Sequence, residues 1–177
     1  MNLESGAALL ENDLTEDEGQ YLTFLLSGEL FAIHILSIKE IIEYGNITEV
    51  PLMPDFVRGV MNLRGSVVPV IDLSARFGRA SKAVGKRTCI VIIEVEYDHK
   101  VQDIGVVVDS VCEVKEMLGK DIEDAPSFGA NLRPEFIRGM GKEGEQFVII
   151  LDIDKVLSLE DLNRMTHKLS HDCIKDN

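Results

Sequence analysis

The sequence predicts an all-β protein, and three observations predict it. Apolar residues come in short runs broken by turn residues, not at helical spacing. Val, Ile and Leu dominate the apolar set and tryptophan is absent, a bias toward pleated, half-buried surfaces. The third observation is an internal repeat. Phe56-Val57-Arg58-Gly59 returns as Phe136-Ile137-Arg138-Gly139, 80 residues on, and Val70-Ile71-Asp72-Leu73 returns as Ile150-Leu151-Asp152-Ile153 at the same offset. Upstream, Ser37-Ile38-Lys39-Glu40-Ile41 matches Ser110-Val111-Cys112-Glu113-Val114 at an offset of 73. Matched blocks in one order imply two copies of a small barrel, each of about 65–70 residues.

Residues 1–20 carry six acidic side chains and no basic ones. With Thr15-x-x-Glu18 spaced as a capping box, they read as an acidic, flexible, at most weakly helical arm. Strands are expected over 21–26, 30–35, 38–43, 59–63 and 66–73, with Ser27-Gly28 and Arg64-Gly65 as turns. Pro51 and Pro54 bracket a connection that no central strand tolerates. Asp72 is placed to cap a short helix ending near Phe77. The polar stretch 80–86 marks the midpoint, dividing a first barrel (21–86) from a second (87–157). In the second, strands are expected over 88–97, 103–108, 111–114, 139–141 and 147–153. Asp98-His99-Lys100 forms a hairpin turn, and a long connection surrounds Pro126 and Pro134. Ser158-x-x-Asp161 caps a C-terminal helix, with Leu159, Leu162 and Leu169 on one face and a tail reaching residue 177.

The repeat assigns roles to single residues. Gly59 and Gly139 stand where a connection turns sharply into a strand and a side chain would clash. Asp72 and Asp152 end buried runs by accepting backbone N–H bonds.

Composition excludes several functions. The chain has 177 residues and a net charge of −13, with 18 basic residues among 31 acidic ones. No basic stripe exists to neutralise a phosphate backbone, so nucleic acid is not an expected partner. Three widely spaced cysteines make neither a disulfide framework nor a C-x-x-C pair, which fits a reducing compartment. No apolar run approaches the ~20 residues that span a bilayer, and the N-terminal residues lack the pattern of a signal peptide. A cytoplasmic protein without direct membrane insertion is expected.

Arg64 stands at the tip of an otherwise apolar hairpin, in which Pro69 requires an edge or a bulge. A guanidinium there suits a carboxylate or backbone acceptor on a partner, or an internal salt bridge to an acidic neighbour. At the offset of 80, Asn62-Leu63-Arg64-Gly65 falls opposite Lys142-Glu143-Gly144-Glu145. The tip differs where the fold positions agree, which favours a partner.

The stretch Arg58-Gly59-Val60-Met61-Asn62-Leu63-Arg64-Gly65-Ser66-Val67-Val68-Pro69-Val70-Ile71-Asp72-Leu73 resembles the signature of the CheW-like domain. Phe24-Leu25-Leu26, Leu30-Phe31-Ala32-Ile33, Ile38-Lys39-Glu40-Ile41-Ile42 and Ile104-Gly105-Val106-Val107-Val108-Asp109 fit the same family, so the likeness runs from Tyr21 to about Leu157. It implies two packed five-stranded barrels of Src-homology-3-like type. It also implies an adaptor that couples chemoreceptor cytoplasmic tips to the regulatory domain of the histidine kinase CheA at membrane-associated receptor arrays. Flanks of about 20 residues leave no room for a receiver or kinase domain, so a stand-alone adaptor is expected. By resemblance, receptor contacts lie in the groove between the barrels at Ile38, Glu40, Arg64, Val67 and Cys89. For Ile38, Val67 and Cys89 the competing fate is core burial. The kinase-facing surface implied is Ile47, Phe56, Val57 and Arg58. Phe128, in a polar loop, is a second docking contact or a barrel cap.

Enzyme readings are weak. His34 alternates within an apolar strand, as a satisfied near-core histidine does. His167 and His171 have ligand spacing but no accompanying glutamate, and Gly85-Lys86-Arg87 lacks phosphate-loop spacing. No metal or cofactor is assigned. The alternative function is a small-molecule-binding β-barrel or a minor enzyme.

Overall fold

A computed structural model of the chain describes residues 19–81, 83–97, 99–124 and 132–158. Residues 1–18 of the acidic arm and all but the first residue of the expected C-terminal helix lie outside these residues, while Gly19 and Gln20, assigned to the arm, instead pair with Met117 and Glu116 at the start of the first strand. The strands among them are β1 (Gly19–Leu26), β2 (Glu29–His34), β3 (Ile38–Glu43), β4 (Val57–Leu63), β5 (Ser66–Asp72) and β6 (Cys89–Tyr97). Then come β7 (Lys100–Val108), β8 (Ser110–Met117), β9 (Ile122–Glu123), β10 (Ile137–Glu143) and β11 (Gln146–Leu151). Two single-turn helices, α1 (Leu73–Arg76) and α2 (Ile153–Val156), follow β5 and β11. The all-β expectation holds, and each expected strand is present, several of them longer than the apolar run alone.

The strands form a five-stranded sheet, β3-β6-β7-β5-β4, and a six-stranded sheet, β8-β1-β2-β11-β10-β9. Element by element the two are the same arrangement. β3, β4 and β5 correspond to β8, β10 and β11, the pairs that the sequence offsets matched. The hairpin β6–β7 corresponds to β1–β2: β7 joins β5 in parallel at Val70↔Gly105, as β2 joins β11 at Ile149↔Phe31. The single bridge Thr48↔Val60 stands where β9 pairs with Met140 and Gly141.

This topology corrects two expectations. The barrels are not the successive stretches 21–86 and 87–157; one is built from 38–108, the other from 19–34 together with 110–151. Nor do both have five strands, since β9 adds a sixth to the second. The physical reason is edge pairing. In the second copy the strand pair that must lie between β8 and β11 does not follow β11, and the N-terminal hairpin fills the place.

Burial on both faces explains the continuous apolar run of β6. Val91, Ile93 and Val95 point into a core shared by the two sheets, while Ile90 and Ile92 point into the five-stranded barrel with Met61, Val68, Val70 and Val107. The same parity divides β11, with Ile149 and Leu151 in the shared core and Val148 and Ile150 in the other barrel with Tyr21, Ala32 and Met117. Both barrel interiors are thus filled by side chains.

The repeated residues do the same work twice. A Cβ on Gly59 (φ 145°) would collide with the Thr48 carbonyl oxygen, and one on Gly139 would lie 2.8 Å from Ile122 Cγ2 and 3.1 Å from the Glu123 carbonyl oxygen. Each glycine sits at a register shift, between Val57 and Gly59 and between Ile137 and Gly139, so the clash arises within a bulged strand. Asp72 caps α1 by accepting from Ala75 N, and Asp152 caps α2 by accepting from Lys155 N. Their own N–H groups donate to the Phe56 and Phe136 carbonyls at 2.7 and 2.8 Å. Pro69 pairs with β4 just before the residues of β5 that also pair with β7, so its missing N–H removes no bond from that ladder.

Candidate interaction surfaces

The β4–β5 hairpin is a two-residue turn with Arg64 at φ 52° and Gly65 at φ 87°. Both angles are left-handed, as the right-handed twist of a tight hairpin demands. Asn62 Oδ1 accepts from Gly65 N at 2.8 Å and braces the turn. The left-handed region is costly for arginine and free for glycine. The second barrel uses Gly144, at φ 62°, in the place of Arg64. The fold therefore tolerates Arg64 there rather than requiring it.

Arg64 reaches across to β3. Its Nη2 donates to Glu40 Oε2 at 2.6 Å, joining the hairpin on one side of the sheet to the edge strand on the other. That hydrogen bond first, and the carboxylate's charge second, raise the arginine pKa above its ordinary value. The internal salt bridge is thus real, yet the Arg64 side chain stays 74% exposed, against 25% for Glu40. Glu40 Oε1 is buried with no donor. A guanidinium with free donors therefore stands beside a fixed carboxylate. The second barrel makes a related link with the signs exchanged, Lys115 on β8 to Glu143 on β10 at 3.1 Å.

Val67 follows on the same hairpin and is 71% exposed, so core burial is not its fate. Ile38 and Cys89 are half-buried and pack against the rim of the shared core. Cys89 opens on a cleft of about 440 Å³ lined by Leu25, Arg87, Ser110, Val111 and Cys112, which draws on both sheets. Burial, and then the charge of Glu43, raise its thiol pKa. Cys89 pairs with Glu43, at the opposite end of β3 from Ile38. The five residues therefore occupy three places: Arg64, Glu40 and Val67 about the hairpin, Ile38 at the start of β3, and Cys89 in the inter-sheet cleft. Cys112, 23 residues from Cys89 and on another sheet, shares that cleft, and no sequence spacing announces it.

The other face needs correction. Phe56 is 7% exposed and belongs to the shared core, so it presents no contact surface. Arg58 is engaged internally: Nε and Nη2 donate to Asp72 Oδ2 at 2.9 and 2.8 Å, and Nη1 to the Tyr44 hydroxyl at 3.2 Å. The largest influence on its pKa is burial, which lowers it; the Asp72 bond and charge outweigh this together with Tyr44, and the net shift is upward. Ile47 and Val57 are half-buried and remain partly open. Phe128 lies outside the described residues. His34 is edge-on to Tyr21, its Nδ1 accepting from Leu36 N at 3.2 Å, the arrangement of a satisfied histidine.

The family model of the CheW-like domain matches residues 20–161. The chain is 35% identical to the chemotaxis protein CheW of Klebsiella aerogenes over 159 residues, 89% of this chain and 93% of that one. It is 30% identical to the chemotaxis protein CheW of Treponema pallidum over 158 residues, covering 87% and 91%. Among solved structures it is similar to the scaffolding protein TtCheW of Thermoanaerobacter tengcongensis, with a TM-score of 0.69 and 31% identity over 78% of this chain and 87% of that one.

Proposed function

This chain belongs to the CheW-like domain family, and on that premise we propose that it is a non-catalytic chemotaxis adaptor joining chemoreceptor tips to the regulatory domain of the histidine kinase CheA. In this reading it is recruited to membrane-associated receptor arrays by those contacts; no helix among the described residues is long and apolar enough to cross a membrane. The receptor side comprises Arg64, Glu40 and Val67 about the hairpin, with Ile38 and the Cys89 cleft. The kinase side comprises Ile47 and Val57, with Phe128 as a further contact.

The observation that carries the reading is Arg64. It occupies a left-handed position that the second barrel gives to glycine, and it remains exposed although paired. A planar fork held by one carboxylate keeps donors free for another. A rigid body with separate partner surfaces couples them when a receptor shift changes its contacts with the kinase. The test is a titration of the purified chain against a receptor tip fragment and, separately, the kinase's regulatory domain. Binding to both supports the adaptor; binding to neither sinks it. The small-molecule-binding alternative gains nothing from barrel interiors packed with Met61, Val70, Ile90 and Ile92.

A further inference from the structure

Arg76 ends α1, and the 80-residue offset makes Val156, which ends α2, its counterpart. Arg76 Nε donates to the Val156 carbonyl oxygen at 2.9 Å. A residue touches its own counterpart only beside the axis relating two copies, so this bond marks where the pseudo-symmetry axis passes. Phe56 and Phe136 are counterparts as well. The Arg76 guanidinium carbon lies 5.2 Å from the Phe56 ring centre and 4.9 Å from that of Phe136. One cation thus touches the root of β4 in one barrel and of β10 in the other.

The next residues reach the same way. The Phe77 ring lies 5.8 Å from Phe31 and 5.9 Å from Phe136, both in the second barrel. Arg79 pairs with Glu29 at 2.9 Å and stands 5.9 Å over Phe31. The shared apolar core holds the sheets together, but the hydrophobic effect itself is non-directional. Arginine adds direction: its edge donates in plane while its faces meet aromatic rings.

We propose that Arg76 is the positioning residue that sets the angle between the two barrels and so the relation between the partner surfaces they carry; the second half of this statement rests on the adaptor reading. Pulsed EPR distances test it, in a chain carrying Cys89→Ser, Cys112→Ser and Cys173→Ser with spin labels at Val101→Cys on β7 and Phe147→Cys on β11. Both label positions are exposed. The parent gives one narrow distance distribution. Arg76→Met, which keeps length but loses the donor and charge, broadens or shifts it while circular dichroism retains the strand signal. Arg76→Lys, which keeps charge but loses the planar donor, does so to a smaller degree and decides the matter if Arg76→Met does not fold. An unchanged distribution in a folded variant overturns the proposal. With cysteines intact, receptor-dependent kinase stimulation falls about tenfold in Arg76→Met, within the range of ordinary coupling, while affinity for each partner alone holds. Full stimulation despite a broadened distribution overturns the functional half. A parent that binds neither partner defeats the adaptor reading, and the distance comparison still judges the clamp.

Discussion

At the scale of single residues, the molecule separates positions that build the fold from positions the fold merely permits. Arg64 is of the second kind, because its counterpart is Gly144 and both backbones are left-handed. Arg64→Gly is therefore expected to hold or raise the melting temperature, by relieving the left-handed strain, while weakening receptor binding. Arg64→Lys recovers only part of that binding, since an ammonium lacks the planar fork. Calorimetry and a receptor-tip titration on the same variants check both halves; a large fall in melting temperature with binding intact would make the Glu40 pair purely structural. The two cysteines of the cleft give a prediction of opposite kind. Burial, followed by Glu43 for Cys89 and by Glu143 and Glu113 for Cys112, raises both thiol pKa values. Less thiolate exists at any given pH, and the thiolate is the nucleophile. Both should alkylate more slowly at neutral pH than a free thiol, and the rate should still be climbing at pH values where a free thiol has levelled off. Mass-resolved iodoacetamide kinetics read this directly.

At the scale of elements, counterparts differ in how much they carry. Asp152 caps α2 and stands at an intermediate depth, whereas Asp72, 3% exposed, caps α1 and also accepts from Arg58 and, at 2.6 Å, from Ser81 Oγ. Asp152→Ala should cost about 1 kcal/mol, the usual worth of a cap. Asp72→Ala should cost about 3 kcal/mol or more, because it strands a partly buried guanidinium. Urea midpoints distinguish the two, and equal costs would mean that the Arg58 pair adds nothing. Leu73→Ala and Ile153→Ala, at equivalent buried places, should each cost about 2–5 kcal/mol. Elements of this kind were legible in the sequence. Repeat, turn residues and alternation located β3, β4, β5 and both caps. The strands outran their apolar runs where their ends carry polar residues, as β7 does at Lys100, Gln102 and Asp103 and β8 at Lys115 and Glu116.

At the scale of the whole molecule, the sequence misled where partners are distant. The repeat matched β3–β5 to β8, β10 and β11, but nothing local says that β1–β2 completes the last barrel, since β2 meets β11 only across the whole chain. Phe56 came to the kinase-facing set by resemblance alone, and its burial depends on a core shared with the second barrel that no local pattern shows. The Arg64–Glu40 contact was foreseeable as one of two alternatives; that Arg64 also stays exposed was not. Two barrels about one core give a body whose faces move together, which is what an adaptor requires. The most direct test of that role is kinase autophosphorylation in a reconstituted mixture of receptor fragment, kinase and this chain, each also omitted in turn. Receptor-dependent stimulation should require the chain and should fall in Val57→Asp, which puts a charge on the proposed kinase surface, with the variant still folded. Stimulation that is equal with and without the chain would contradict the adaptor role outright.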